Sequence, residues 1–227
     1  MSIGIGITLP DGVLLVSDGR RIHPLAENKE IENDIDKIEK VKASVFAISF
    51  GVGQATEPAL KKLRNEASPL KPPEDWLEYL ESSVTYGWRS FLNRLSPEVD
   101  INHPALRAAL VVGGISNHEP FIAGYLCSPE MKMDRPVMKK SPATHKMVVG
   151  GEKYQAETKF ANKSRSIIDT ISWQSGVGPE NKLIKALIGA AEEVIREVES
   201  KGSRIGGVIR YIVIRQNFLN SRGKRTS

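Results

Sequence analysis

The chain has 227 residues, of which 40% are hydrophobic, so it is long enough to bury one sizeable core. It carries 32 Lys and Arg against 27 Asp and Glu, and its single cysteine excludes an intrachain disulfide. No apolar run approaches the ~20 residues that cross a bilayer, and the start lacks the basic region of a signal peptide, so we expect a cytoplasmic protein without membrane contact. No linker interrupts residues 1–216, which predicts a single domain, followed by a basic, disordered tail over 217–227.

The first twenty residues predict a β-hairpin. Apolar residues alternate with Gly and Thr over residues 3–9, which is the period of a strand with one buried face. Asp11-Gly12 is a strong two-residue turn signal, because glycine accepts the positive φ that such a turn needs. The apolar run Val13–Val16 follows the turn and runs back beside the first strand. The hairpin therefore brings Asp18, at its end, close to Ser2 at its start.

Ser2 is a candidate nucleophile. Removal of Met1 in front of this small residue would give Ser2 a free α-amine, whose ordinary pKa of ~7.7–8 lies well below the ~10.4 of lysine. One residue would then supply both the attacking Oγ and the base that takes its proton. Met-Ser is also a common protein start, so this feature does not identify a nucleophile by itself.

Further positions could complete such a site. Asp18 and Arg20 follow the second strand, where their charges could orient an amine, although a solvated strand end would look the same. Lys37 could be buried under the hairpin, pair with Asp18 and lower the pKa of the Ser2 amine, or be one of 32 surface cations. Gly51 ends an apolar strand and could offer its N–H to an oxyanion, or simply allow a chain reversal.

The rest of the chain predicts strands in alternation with amphipathic helices. Strands are predicted over 34–41, from Val45 to the turn at Gly51, and over 108–114, 120–126, 147–151 and 208–214. Helices are predicted over 54–67, 74–95, 152–161 and 182–200. This order is typical of a layered α/β or α+β fold.

Together these residues resemble the proteasome-type family of N-terminal nucleophile hydrolases, which includes proteasome β subunits and HslV-like bacterial peptidases. The family's N-terminal Thr precedes its acid by sixteen residues, the spacing of Ser2 and Asp18. The family lysine aligns with Lys37, and the oxyanion glycine, fourteen residues later, aligns with Gly51. The order of elements agrees over roughly residues 2–215. The resemblance implies an α+β fold, a four-layer αββα sandwich of two antiparallel sheets.

The resemblance also implies a reaction and its partners. Ser2 would cleave a peptide or another amide, with Lys37, held by Asp18, keeping the amine neutral and the Gly51 N–H stabilising the oxyanion. Matching the family's motifs adds the supporting positions Arg20, Glu197, Gly150 and Gly151. No cofactor or metal is implied, the chain is expected to form a homo-oligomeric ring, and an ATPase partner is left open.

Departures from the family pattern keep an inactive ring or binding scaffold as the alternative. The nucleophile is Ser rather than Thr. The family's Gly-Ser-Gly turn is Val149-Gly150-Gly151 here, without a hydroxyl, and its Asp-x-x-Ser-Gly becomes Glu197 to Gly202, with a longer carboxylate and a displaced glycine.

Other function classes have weaker support. A net charge of +5 suits nucleic-acid binding, but no basic stripe interleaved with aromatic residues accompanies it. Residues 51–56 form a truncated dinucleotide motif whose third glycine is replaced by Thr56. The four histidines are scattered without ligand spacing, which argues against a metal site.

Overall fold

Two antiparallel sheets form the centre of the molecule. A computed structural model describes residues 3–22, 31–100, 106–127, 147–151, 155–171, 182–201, 205–216 and 221–225. The strands are β1 (Ile3–Leu9), β2 (Gly12–Ser17), β3 (Arg21–Ile22), β4 (Ile31–Glu32), β5 (Ile38–Lys42), β6 (Val45–Gly51), β7 (Ala108–Ser116), β8 (Glu119–Cys127), β9 (Met147–Gly151), β10 (Ile209–Arg215) and β11 (Ser221–Arg225). The helices are α1 (Gly53–Glu66), α2 (Asp75–Leu92), α3 (Gln155–Thr170) and α4 (Lys182–Ser200).

The first two and the last three strands of the chain form one sheet. The five-stranded sheet has the order β11-β10-β2-β1-β9, and the four-stranded sheet has the order β5-β6-β7-β8. β3 and β4 form a separate two-stranded ribbon. The predicted hairpin of β1 and β2 forms as expected, with Leu9 opposite Gly12. β1 therefore lies between β2 and β9, inside the sheet rather than at its edge.

Three apolar cores separate four layers. One core lies between the four-stranded sheet and helices α1 and α2, and a second lies between the five-stranded sheet and helices α3 and α4. The third fills the space between the sheets. Alternate residues of each strand reach different cores, so Leu14 and Val16 of β2 face the helices, whereas Val13 and Leu15 face the other sheet. The predicted α+β sandwich of two antiparallel sheets is confirmed.

The glycines of β1 allow the two sheets to approach each other. The apolar residues of β1 belong to the core under α3 and α4, so Gly4 and Gly6 point toward the four-stranded sheet. A Cβ at Gly4 would overlap the ring of Phe50, and one at Gly6 would press against Ile122. The alternation of Ile and Gly thus fills one face of β1 and leaves the other face flat.

Two element boundaries differ by four residues or more from those predicted. β5 begins at Ile38, so residues 34–37 precede the strand rather than form its first half. α3 covers Gln155–Thr170 and continues well past the predicted end at 161, while residues 152–154 lie outside the described ranges. Within the described ranges, every helix is too short or too polar for a bilayer span.

The basic C-terminal residues form a strand, which corrects the expectation of a disordered tail. Ser221–Arg225 pairs with β10 in antiparallel register and is the outermost strand of its sheet. Arg222 contacts Asp36, and Arg225 contacts Glu192. The polar composition gave no sign of these contacts, because both acidic partners are distant in sequence.

Gly87 and Gly189 provide a matched pair of stability predictions. A Cβ at Gly87 of α2 would overlap the carbonyl oxygen of Ala55 in α1, whereas Gly189 of α4 has open space around it. We expect Gly87→Ala to lose about 1–3 kcal/mol through overpacking. We expect Gly189→Ala to gain about 0.5–1 kcal/mol, because alanine is the better helix former. Urea unfolding of both variants measures the difference, and a Gly87→Ala protein as stable as the parent would contradict the close helix packing.

Candidate active site

Asp18 fixes the start of the chain. It is fully buried just after β2, and its Oδ1 accepts a hydrogen bond from the Ile3 N–H at 2.9 Å. In return, the Asp18 N–H donates to the Ile3 carbonyl at 3.1 Å. Ser2 itself lies outside the described residues. The Ile3 nitrogen is one covalent bond from Ser2, so the carboxylate holds the chain directly beside the predicted nucleophile.

Lys37 and Asp18 form a buried ion pair, rather than Lys37 being one of the surface cations. The Lys37 Nζ lies 3.0 Å from Asp18 Oδ1, and the lysine side chain is only 5% exposed. Lys37 Nζ also donates to the Arg20 carbonyl at 2.6 Å. The Gly206 N–H approaches the other carboxylate oxygen, Oδ2, at 3.4 Å. Asp18 thus receives donors from three separate segments, which offset part of the loss of its hydration.

The electrostatics of the pair bear on proton transfer near the chain start. Burial raises the pKa of the Asp18 carboxyl, because the charged form loses hydration, and the Lys37 charge and the hydrogen bonds oppose that rise. A lysine ammonium also favours the neutral form of a neighbouring amine. The arrangement can therefore lower the pKa of an α-amine placed beside it.

Arg20 holds the loop that supplies the Gly206 N–H. Its Nη2 lies 2.7 Å from Glu199 Oε1 at the end of α4, and its Nε donates to Asn33 Oδ1 at 2.8 Å. Its Nη1 donates to the Ile205 carbonyl at 3.1 Å. The Arg20 side chain therefore acts on Asp18 indirectly, because it holds in place the loop whose Gly206 N–H approaches the Asp18 carboxylate.

Glu199, rather than Glu197, is the acidic residue that α4 contributes to this cluster. Glu197 is on the exposed side of α4, where hydrogen bonds from Lys159 and Lys201 lower the pKa of its carboxyl. The Glu-x-x-Ser spacing pointed to Glu197 and missed Glu199. In the sequence, the Gly206-Gly207 doublet was the one sign of an unusual backbone next to α4. Both residues have positive φ values, 138° and 76°, and a Cβ at Gly206 would overlap the Glu199 carboxylate.

Gly51 turns the end of β6 toward α1 beside the lysine segment. Its φ is 87°, and a Cβ there would overlap the carbonyl oxygen of Arg107, so both the backbone and the space require glycine. The Val52 N–H donates to the same carbonyl at 2.8 Å. The Ser49 N–H donates to the Lys37 carbonyl at 3.3 Å, which connects this end of β6 to the candidate site.

Gly150 and Gly151 border the chain start on its other side. In the antiparallel pairing of β1 with β9, Ile3 lies opposite Gly151 and Gly4 lies opposite Gly150. The start of β1 is thus enclosed by the Asp18 end of β2 on one side and by these glycines on the other.

Other chemistries find little support in the described residues. Those residues contain no group of three His, Cys, Asp or Glu side chains that could hold a metal ion. His23, His103 and His145 lie outside the described ranges. Burial raises the pKa of the Cys127 thiol to about 11, so this cysteine stays protonated at neutral pH and is a poor nucleophile.

Comparison with known proteins identifies the fold. No protein-family model matches the sequence, and no curated protein matches it. A Gly-1 mutant of Anbu from Hyphomicrobium sp. strain MC1 matches with a TM-score of 0.58 and 12% identity, over 100% of this chain and 88% of that one. The helical assembly of the Anbu complex from Pseudomonas aeruginosa matches with a TM-score of 0.63 and 12% identity, over 99% of this chain and 87% of that one. The chain has the Anbu fold.

The Anbu structures correct the family expected from the sequence. The motif spacing resembled that of proteasome β subunits and HslV-like peptidases, whereas the matched structures belong to Anbu, a proteasome-related but distinct family. The residues behind that expectation lie in the first hairpin and the lysine segment. Those parts belong to the general fold, so they do not separate one related family from another. The family assignment was wrong, and at 12% identity the Anbu likeness extends to the fold alone.

Removing the lysine tests how strongly the ion pair is coupled. Lys37→Met leaves the buried Asp18 carboxylate without its cation, and we expect a loss of roughly 3–5 kcal/mol in the free energy of unfolding. Asp18→Asn combined with Lys37→Met removes both charges and is expected to recover part of that loss. Lys61→Met, at an exposed lysine of α1, is the control and should stay within about 0.5 kcal/mol of the parent. A similar loss in Lys37→Met and Lys61→Met would contradict the buried pair.

Glu199 gives the stability a pH dependence of known sign. Burial acts to raise the pKa of Glu199, but hydrogen bonds from Arg196 and the Gly207 N–H, with the charges of Arg196 and Arg20, hold it below its ordinary value. The ionised Glu199 carboxylate therefore stabilises the fold fully at any pH above its pKa in the unfolded chain, about 4.3. This stabilisation is lost as the pH falls through the lower pKa that Glu199 has in the folded protein. We expect Glu199→Gln to be less stable than the parent at neutral pH. The difference should shrink in denaturant titrations at progressively lower pH, and a constant difference would contradict this account.

Proposed function

We propose that the chain is an amidohydrolase that uses Ser2 as an N-terminal nucleophile after removal of Met1. The observation that supports this most is the buried Lys37–Asp18 pair, whose carboxylate also binds the Ile3 N–H. A cation held at this point favours a neutral α-amine on the preceding residue, which is what a base at the chain start requires. A buried ion pair is seldom needed for stability alone, which adds weight to a chemical role.

The proposed reaction has two halves. Ser2 Oγ attacks the carbonyl carbon of an amide, and its proton passes to the α-amine of the same residue. The amine then protonates the leaving nitrogen, the C–N bond breaks, and an ester between Ser2 and the acyl group remains. In the second half the amine takes a proton from water as the water attacks the ester. It returns that proton to Ser2 Oγ as the C–O bond breaks, which releases the acid and restores both the hydroxyl and the neutral amine.

Gly51 is the proposed oxyanion donor. Its backbone is locked by a positive φ and by the neighbouring Arg107 carbonyl, at the end of β6 nearest to Lys37. A fixed N–H suits oxyanion stabilisation, because it needs no reorganisation as charge develops. We propose peptides as the first substrate class to test, and other amides as the second.

Self-assembly is a second part of the proposal. The Anbu complex from Pseudomonas aeruginosa is a helical assembly, so we extend oligomer formation to this chain. Repeated head-to-tail contacts give a ring when the rotation closes and a helix when it does not. Light scattering and electron microscopy of the purified protein distinguish the two forms from a monomer. An ATPase partner is a further proposal. If such a partner feeds the enzyme, folded substrates should be cleaved only when the ATPase is added, whereas short peptides should be cleaved without it.

A binding scaffold without catalysis is the second candidate function. The observation in its favour is the strand β9, whose Gly150 and Gly151 face the chain start without offering a hydroxyl to the amine. In that case the Lys37–Asp18 pair would hold the hairpin in place and carry out no proton transfer.

Intact mass spectrometry with a peptide epoxyketone separates the two functions. We expect the purified protein to lack Met1 and to gain one adduct that maps to Ser2. Ser2→Thr should keep the adduct because it keeps a hydroxyl and an amine, whereas Ser2→Ala should lose it. Asp18→Asn should slow adduct formation by about a hundredfold or more, the usual range for disturbing an acid–base group. Lys61→Met serves again as the control and should react at the parental rate.

Retention of Met1, or an adduct equal in amount in Ser2→Ala, would contradict the hydrolase proposal and favour the scaffold.

A further inference from the structure

The segment that carries Lys37 is held by an arginine of β10. Arg210 donates from Nη1 to the Ile35 carbonyl at 2.9 Å and from Nη2 to the Asp34 carbonyl at 3.2 Å. The Arg210 guanidinium also binds the Asp34 carboxylate, and its side chain is only 12% exposed. The planar fork of an arginine thus secures the backbone just before Lys37.

A second arginine, from β11, holds the same segment on both sides of the lysine. Arg222 Nη2 donates to the Ile38 carbonyl at 2.7 Å and binds the Asp36 carboxylate. Asp36 Oδ1 in turn accepts from the Ile38 N–H at 3.0 Å. One guanidinium therefore contacts the residue before Lys37 and the residue after it.

These contacts occur where regular strand pairing is missing. β5 begins only at Ile38, so the Lys37 backbone precedes the ladder with β6. Its carbonyl accepts from the Ser49 N–H at 3.3 Å, which is a long hydrogen bond. The preceding Ile35 N–H donates to the Gly19 carbonyl at 2.9 Å. Arg222 thus contacts the residues on both sides of Lys37, which the hydrogen bond from the Ile38 N–H to Asp36 also connects.

We propose that β11 is a positioning element for Lys37, and that Arg222 is its positioning residue, keeping the lysine ammonium against Asp18. The catalytic consequence rests on the proposed function, whereas the ordering of residues 34–38 does not. A misplacement of about 1 Å can lower a rate by roughly a hundredfold, so a fixed backbone around the lysine matters for proton transfer.

The exposure of this contact predicts a local rather than a global effect. The Arg222 and Asp36 side chains are 44% and 42% exposed, and ion pairs of this kind add little to overall stability. Arg225, on the same strand, is 41% exposed and binds Glu192 of α4 instead of the lysine segment. Arg222 and Arg225 are therefore a matched pair of similar exposure, of which only Arg222 binds the segment around Lys37.

The test compares Arg222→Gln with Arg225→Gln in the full chain. Hydrogen exchange followed by mass spectrometry should show roughly tenfold faster exchange over residues 34–38 in Arg222→Gln and parental exchange there in Arg225→Gln. The rate of epoxyketone adduct formation should fall between about tenfold and a hundredfold in Arg222→Gln only. Its pH midpoint should move upward, because a lysine displaced from the amine no longer lowers the pKa of that amine.

A second variant guards against a folding defect in the first. Asp36→Asn removes the carboxylate that Arg222 binds and should reproduce its exchange and pH effects, while thermal unfolding confirms that each variant is folded. Equal exchange over 34–38 in Arg222→Gln and Arg225→Gln would overturn the positioning role. If the parent protein forms no Ser2 adduct but exchange over 34–38 is still faster in Arg222→Gln, the hydrolase proposal is overturned while the ordering role of Arg222 is supported.

Discussion

The buried pair of Asp18 and Lys37 is the interaction on which the rest of the site depends. It connects the first hairpin, in the five-stranded sheet, to the segment that leads into the four-stranded sheet. Moving both charges out of water is unfavourable, and the added donors from Ile3 and Gly206, with the Arg20 carbonyl as acceptor for the lysine, offset part of that loss. Apolar side chains could join the sheets with a smaller loss of hydration, so stability alone does not account for the two charges.

Local patterns in the sequence were sufficient for the hairpin, whereas they left Lys37 open between a partner of Asp18 and a surface cation, and only the family resemblance favoured the pair. Alternating Ile and Gly predicted the two faces of β1, and the Asp-Gly turn fixed the register that returns Asp18 to the chain start. What could not be predicted depends on distant partners. Arg20 and Glu199 are 179 residues apart, and neither the helix phase nor the Glu-x-x-Ser spacing shows which carboxylate α4 turns toward the arginine. For the same reason β11 looked like a solvated tail.

The fold tolerates wide sequence change because its demands are few. The central strands need apolar residues toward one core or two, and β1 needs glycine where Phe50 crosses it. Such requirements are met at 12% identity to Anbu, which explains why the sandwich and the order of elements along the chain were predictable while the family was not. Fold alone does not determine activity, so the case for catalysis depends on the residues around Asp18.

The strand order has a consequence for biosynthesis. β1 and β2 are synthesised well before their neighbours β9 and β10, which lie in residues 147–151 and 209–215. At about 5–20 residues per second, synthesis of β10 follows that of the hairpin by roughly 10–40 s, and until then one edge of β2 has no partner strand. The Gly206 donor to Asp18 arrives equally late. A nascent chain therefore cannot complete this cluster until residue 206 has been synthesised.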